Sequence, residues 1–355
     1  MISRNKNTST ANSSLKVPDP GCVRVGPVGA IPALLRKHTN EPPEQILAEV
    51  GLDLRLFEDP DNSISFVTVG RLLNLCAKRT GIPHFGLLAG QQAGPASVGQ
   101  LAELAVHAPD VGTALHSMIL HTCLNDRGVV PTLTSENGVA KLGSAVYIPI
   151  HEGIRQIGDA ALAIMCNLLR ALCGETWAPS EVRFSHTQPR NTKPYESFFR
   201  APLVFEADEN ALVFPDGWLQ QPLPGADIKQ HILTVKRLTT IEARMGIDFQ
   251  EQIYSTLRPL IISQCCSSKR LARMLSMHPR TLNRRLKEQG TTFREMVGKL
   301  RYEVAKQLLL DTNMPLIKIS TILGYADASV FTRAFRRWSC ITPSKWRIQN
   351  KHQIY

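Results

Sequence analysis

The sequence predicts an α+β N-terminal domain with an antiparallel sheet, followed by an all-α C-terminal domain with two helix-turn-helix motifs joined by a connecting helix. Three observations predict this. Residues 129–215 mix hairpin patterns with one strongly periodic helix; a helix, turn and basic helix occur twice between 271 and 343; and the basic residues crowd into the last quarter of the chain. From residue 263 onward there are 18 Lys+Arg against 5 Asp+Glu, whereas the rest holds 23 against 25.

A chain of 355 residues can bury two cores, and 43% apolar with 20% charged residues is a globular composition. No apolar run reaches the roughly eighteen residues of a membrane span. The opening MISRNKNTSTANSSLKVPDP is polar and lacks an apolar h-region, so residues 1–20 are expected as a disordered tail and not a signal peptide. The eight cysteines form no C-x-x-C pair, which fits a reducing cytoplasm.

The elements follow in order. Between 21 and about 120, Gly and Pro punctuate short helices expected at 30–37, 43–50, 67–80, 84–89, 98–107 and 111–121. VVPTLTSENGVAKLGSAVYIPI reads as a hairpin, because Asn-Gly accepts positive φ cheaply. IRQIGDAALAIMCNLLRALCG is an amphipathic helix stopped at Gly174. EVRFSH reads as a strand, PYESFF as a short helix and LVFEADENALVF as a second hairpin. The Pro/Gly-rich PDGWLQQPLPGAD closes this domain, which places a 21–225 domain, a 226–260 linker with one or two helices, and a 261–350 domain.

In the last domain LARMLSMHPRTLNRRLKEQGTTF aligns with ISTILGYADASVFTRAFRRWSCITP. Leu275 meets Leu323, Leu282 meets Phe331, Arg284 meets Arg333 and Leu286 meets Phe335. Ala272 and Ser320 are the small residues that let two helices cross, and Gly324 suits the second turn. Between the copies, Phe293, Met296, Val297, Leu300, Val304 and Leu308 recur at helical spacing. About 19 residues make a helix of roughly 28 Å, comparable to the 34–36 Å or so between successive major-groove faces. Concentrated positive charge calls for an anionic partner; nucleic acid leads, and a membrane surface is the weaker alternative. Leu282, Leu286, Phe331, Phe335 and Trp338 are expected in the core.

These residues resemble the C-terminal domain of the AraC/XylS transcription regulators. The resemblance rests on Ile319, Leu323, Gly324, Tyr325, Ser329, Phe331, Arg333, Phe335, Arg336, Pro343 and Arg347. Upstream, WAPSEVRFSHTQP, FFRAPLVFE and LQQPLP are similar to the arabinose-binding-like domain of a subgroup that includes ornithine-utilisation-type regulators. Three positions depart from the pattern: Cys340 and Ser276 stand where glycine is usual, and Ser320 replaces a common alanine.

The resemblance implies a sequence-specific transcription regulator, an effector-responsive activator whose N-terminal domain senses a small molecule or dimerises. Its recognition helices would place Arg280, Asn283 and Arg284 of the first copy, and Ala328, Ser329 and Arg333 of the second, toward base edges. Arg and Asn there can grip guanine and adenine in bidentate fashion. Lys287, Arg336, Arg337 and Lys345 fall to phosphate or solvent. The implied partners are double-stranded promoter DNA, RNA polymerase, an unidentified effector and a second copy of the chain; no membrane or cofactor is implied, and no effector-contact residue can be picked. The alternatives are a non-specific nucleic-acid-binding protein, or an enzyme domain fused to a DNA-targeting one. No nucleophile elbow, P-loop, H-E-x-x-H or dinucleotide fingerprint supports an enzyme. His116, His121 and Cys123 do not share a helical face, which argues against a metal site. Vicinal Cys265 and Cys266 could sense oxidants only if one thiol were acidified.

Overall fold

The computed structural model describes residues 18–19, 21–146, 152–244, 253–254, 257, 260–261, 266–274 and 279–351. Most of the expected tail, together with Cys265, Leu275 and Ser276, lies outside the described residues.

The N-terminal domain opens with helices at the expected places: α1 (Ile31–His38), α2 (Pro43–Glu49), α3 (Phe66–Thr80), α4 (Phe85–Gln92), α5 (Gln100–Val106) and α6 (Val111–Leu120). The Ser65 hydroxyl caps α3 by accepting from Thr68 N at 3.1 Å. The spacing did not reveal a small antiparallel sheet of β1 (Cys22–Arg24) and β2 (Ser63–Ser65), since three-residue strands are too short to show a period. Val23 and Ile64 pair in this sheet and bury with Leu35, Leu47, Leu72 and Phe85 in a helical core.

A five-stranded sheet follows, in the order β3-β4-β7-β5-β6. β3 (Val129–Glu136) and β4 (Val139–Val146) form the expected hairpin, and Asn137 and Gly138 take φ of 54° and 79° at its turn. β4 pairs antiparallel with β7 (Asn210–Pro215), and β7 with β5 (Glu181–Arg183). The second expected hairpin is not formed. β6 (Leu203–Val204) lies parallel to β5 at the sheet edge, with β5 between it and β7. The connector from β6 explains this: Ala207 N donates to Phe184 O and Glu206 N to His186 O, so the turn is tied to the chain leaving β5 and does not close on itself.

The long apolar helix α7 (Ile154–Cys173) is the central helix of this domain. Leu162, Ala163, Cys166 and Leu169 are buried against the sheet strands and α6. Its contact with α4 is close enough that a Cβ on Gly86 would lie 2.1 Å from Gln156 O, and one on Gly90 2.5 Å from Ala160 O. The buried Asp159 accepts from Tyr195 Oη and His186 Nε2, each at 2.8 Å. The short helix α8 (Lys193–Phe199) carries Tyr195 into this position. The segment expected as linker begins with α9 (Ile228–Arg244), which packs into the same core: Leu238 is fully buried and His231 Nδ1 donates to Leu104 O at 3.0 Å.

The C-terminal domain is helical: α10 (Ser268–Met274), α11 (Pro279–Glu288), α12 (Phe293–Asp311), α13 (Leu316–Ile322), α14 (Ala328–Ser339) and α15 (Pro343–Lys351). The 19-residue α12 is the expected connecting helix, opened by a reciprocal capping box between Thr292 and Glu295. Met296, Val297, Leu300, Val304, Leu308 and Leu309 bury against the flanking helical pairs. α12 also packs on β4, and Lys318 Nζ of α13 meets Asp208 Oδ2 at 2.8 Å, joining the two domains.

Candidate nucleic-acid interface

Each helical pair has the same internal logic. In the first, Leu271 and Ala272 of α10 and Leu282 and Leu286 of α11 are buried. In the second, Ile319 and Leu323 pack with Phe331 and Phe335 of α14, and Ser320 and Ala334 are also buried. Ser320, the departure from alanine, is 1% exposed, and its hydroxyl donates to Ile317 O at 2.7 Å, so the substitution is satisfied within its own helix.

Burying those rows leaves two polar stripes. Arg280, Asn283, Arg284 and Lys287 recur at i, i+3, i+4 and i+7 on α11 and are all exposed. Ser329, Arg333, Arg336 and Arg337 do the same on α14, at i, i+4, i+7 and i+8. Arg284 Nη1 lies 3.7 Å from Glu288 Oε1, an exposed pair worth about 0.3–0.5 kcal/mol that a stronger partner displaces. Asp327 caps α14, accepting from Ser329 N and Val330 N at 2.7 and 2.8 Å. Lys345 is exposed in the first turn of α15.

Other motif residues turn inward. Arg347 Nη2 donates to Met314 O at 2.6 Å and Nε to Leu309 O at 3.2 Å, clamping the end of α12 to the approach to α13, and burial pulls its pKa down. Arg301 sits 4.9 Å over the Tyr325 ring and donates to Gly324 O at 3.3 Å, bracing the second turn. Trp338 is not core: it is 44% exposed, its ring stacked on Tyr302 at 6.1 Å between centroids. It continues the Phe331 and Phe335 face, at i+7 and i+3, into the last turn of α14, where Tyr302 covers it only in part.

Sequence reasoning also missed Lys318. It counts toward the basic excess, yet it points to Asp208 and, at 4.0 Å, Glu209 of the other domain. A lysine next to an apolar row carries no mark of which surface it will meet. His121 Nδ1 and Cys123 Sγ both contact Glu242 Oε1, at 2.9 and 3.2 Å, while His116 Nδ1 turns to Gly112 O. Burial pushes the Cys266 thiol up, the opposite of what a reactive thiolate needs.

Two helix-turn-helix units on one connecting helix, each with a basic outer stripe, define a DNA-binding transcription regulator. Residues 42–223 match the arabinose-binding N-terminal domain of AraC transcription regulators, and residues 271–349 match a helix-turn-helix domain. The chain therefore belongs to the AraC family of transcription regulators. It is 24% identical over 295 residues to the Ornithine utilization regulator of Pseudomonas aeruginosa, covering 82% of this chain and 86% of that one. It is also 24% identical over 322 residues to the HTH-type transcriptional regulator VirS of Mycobacterium tuberculosis (85% and 93%), and 35% identical over 158 residues to VqsM of Pseudomonas aeruginosa (43% and 48%). Among solved structures it resembles the transcriptional regulator CdpR from Pseudomonas aeruginosa, with 23% identity, coverage of 75% and 86%, and a TM-score of 0.40.

Proposed function

We propose that this regulator is an effector-responsive activator that reads promoter DNA with Arg280, Asn283 and Arg284 of α11 and with Ser329 and Arg333 of α14. Lys287, Arg336, Arg337 and Lys345 neutralise phosphates. The observation that carries this reading is the pair of exposed stripes, each backed by a buried apolar row that fixes its orientation. The first helix is the more discriminating, because two Arg and an Asn can bond base edges in bidentate fashion; Ser329 offers one hydroxyl. Two readers about 28 Å apart along α12 suit adjacent major-groove turns in one chain, so a homodimer adds affinity without being required.

In this reading residues 1–20 are a tail, 21–225 sense the effector or dimerise, 226–260 connect, and 261–350 bind DNA in the cytoplasm. The effector changes DNA binding by binding two arrangements of the domains unequally, and bound activator positions RNA polymerase. The test is the affinity for a duplex obtained by selection and for random duplex, each measured across a salt series. Tighter binding of the selected duplex by at least about a thousandfold is expected. Equal affinity at every salt concentration sinks the sequence-reading assignment and leaves a non-specific binder.

A further inference from the structure

Inside the N-terminal domain, α3, α5, α6, β4 and α7 surround a cavity of about 190 Å³. Its walls are largely apolar, with Phe66, Leu101, Leu115, Met118 and Leu168 among them. One buried group in the wall is left over. Asn125 is 7% exposed, and its Oδ1 has no hydrogen-bond partner. Its backbone is fully used: N donates to Thr122 O and the carbonyl accepts from Arg24 N, both at 2.9 Å. A buried acceptor without a donor is costly, so this oxygen marks where a ligand polar group belongs.

The lining also defines charge. No lysine, arginine or glutamate is among its described wall residues, and the Asp126 carboxyl there already accepts Gly128 N and Val129 N at 2.8 and 2.9 Å. Among the described wall residues Asp126 is the one acid and no cation faces it, so the carboxylate of an amino acid would enter without a counter-charge, at a cost of several kcal/mol. The size is that of a single ring: an apolar cavity of about 150 Å³ accepts benzene.

Resting on the effector-responsive reading above, we propose that this cavity is the effector site and that its ligand is a small, uncharged, mainly apolar molecule of single-ring size with one N–H or O–H donor to Asn125 Oδ1. The position suits a sensor. Val129, Ser144, Ile157 and Ala161 line both this cavity and a second cleft of about 540 Å³, whose far wall is Val304, Leu308 and Lys318 of the DNA-binding domain. A ligand that moves the shared wall therefore acts on the surface where α12 and α13 are docked.

Calorimetric titration of the full chain with phenol, toluene and L-ornithine tests this. Phenol and toluene match in size and differ in the donor. Phenol is expected to bind at least about tenfold tighter than toluene, because toluene displaces solvent from Asn125 without replacing its hydrogen bond. Asn125→Leu is expected to reverse that order, and ornithine to give no heat of binding. Toluene binding as tightly as phenol to the unaltered chain overturns the proposal, as does ornithine binding, or the failure of both aromatics at millimolar concentration. The phenol-to-toluene order decides the matter even if Asn125→Leu does not fold. Duplex affinity of the same samples separates the two readings. Asn125-dependent phenol binding with unchanged duplex affinity upholds the site and removes effector response; a duplex affinity intact without any ligand binding removes the site alone.

Discussion

Arg284 and Lys287 lie within one turn of α11, both exposed, and are expected to behave differently on DNA. Arg284→Ala should lose about 1–3 kcal/mol of discrimination at one base pair. Lys287→Ala should weaken selected and random duplexes alike and lower the slope of log K against log salt by about one. Binding to a set of single-base operator variants checks both, and a uniform loss for Arg284→Ala removes it from the readers. Asp126 sets a second expectation at this scale. Burial pushes its carboxyl up to about 7, with the Gly128 and Val129 N–H groups pulling the other way. A carboxyl whose folded pKa lies above its unfolded value near 4 favours folding fully only below pH 4, and that contribution is lost as the pH rises through 7. Asp126→Asn keeps an acceptor but cannot ionise, so it should stabilise the protein at pH 8 by roughly 1–2 kcal/mol. Thermal unfolding at pH 8 and pH 4 should show a gain of a few degrees at pH 8 that vanishes at pH 4. The roles of single residues were legible only where a repeat exposed them. Leu282 and Leu286 could be separated from Arg280 and Arg284 by their spacing, but Asn125 resembled any loop polar residue until its surroundings were known.

At the scale of elements, α14 ends on a residue ill-suited to its backbone. Cys340 takes φ of 62°, the left-handed conformation that glycine adopts without strain, and its N–H still bonds Arg336 O at 2.9 Å. Cys340→Gly should stabilise the C-terminal domain by about 1 kcal/mol, read as a higher urea midpoint with unchanged slope; a lower midpoint would mean that the side chain contributes packing which outweighs the strain. Thr292→Ala, which removes one arm of the capping box of α12, should cost about 1 kcal/mol. The helices, the Asn137-Gly138 hairpin and the 19-residue α12 were readable because their signals are local: a period, a cap, a turn dipeptide. β1, β2 and the parallel edge strand β6 were not, since their hydrogen bonds go to partners distant in the chain.

At the scale of the whole molecule, the domains are held together by α12 on β4 and by the Lys318 pair with Asp208 and Glu209. Both acids belong to the N-terminal domain, and removing them takes away two negative charges and these two partners of Lys318. The double substitution Asp208→Asn with Glu209→Gln should therefore raise affinity for any duplex by roughly two- to fivefold at low salt, the scale of a partly exposed ion pair, and less at high salt. Titrations at about 50 and 200 mM salt check this; unchanged affinity at low salt would mean that the pair persists in the DNA complex.

The amino-acid order alone was sufficient for the two-domain division, the all-α class of the C-terminal part, the positions of its basic stripes and the family resemblance. Each depends on residues a few positions apart, where helical geometry makes spacing equivalent to direction. The insertion of β5 between β6 and β7, the turning of Lys318 to Asp208 and the leaving of Asn125 Oδ1 in an apolar cavity emerged only from the folded chain. These arise from contacts between segments tens to more than a hundred residues apart, and no local pattern encodes which distant surface a lysine, a short strand or an amide will meet.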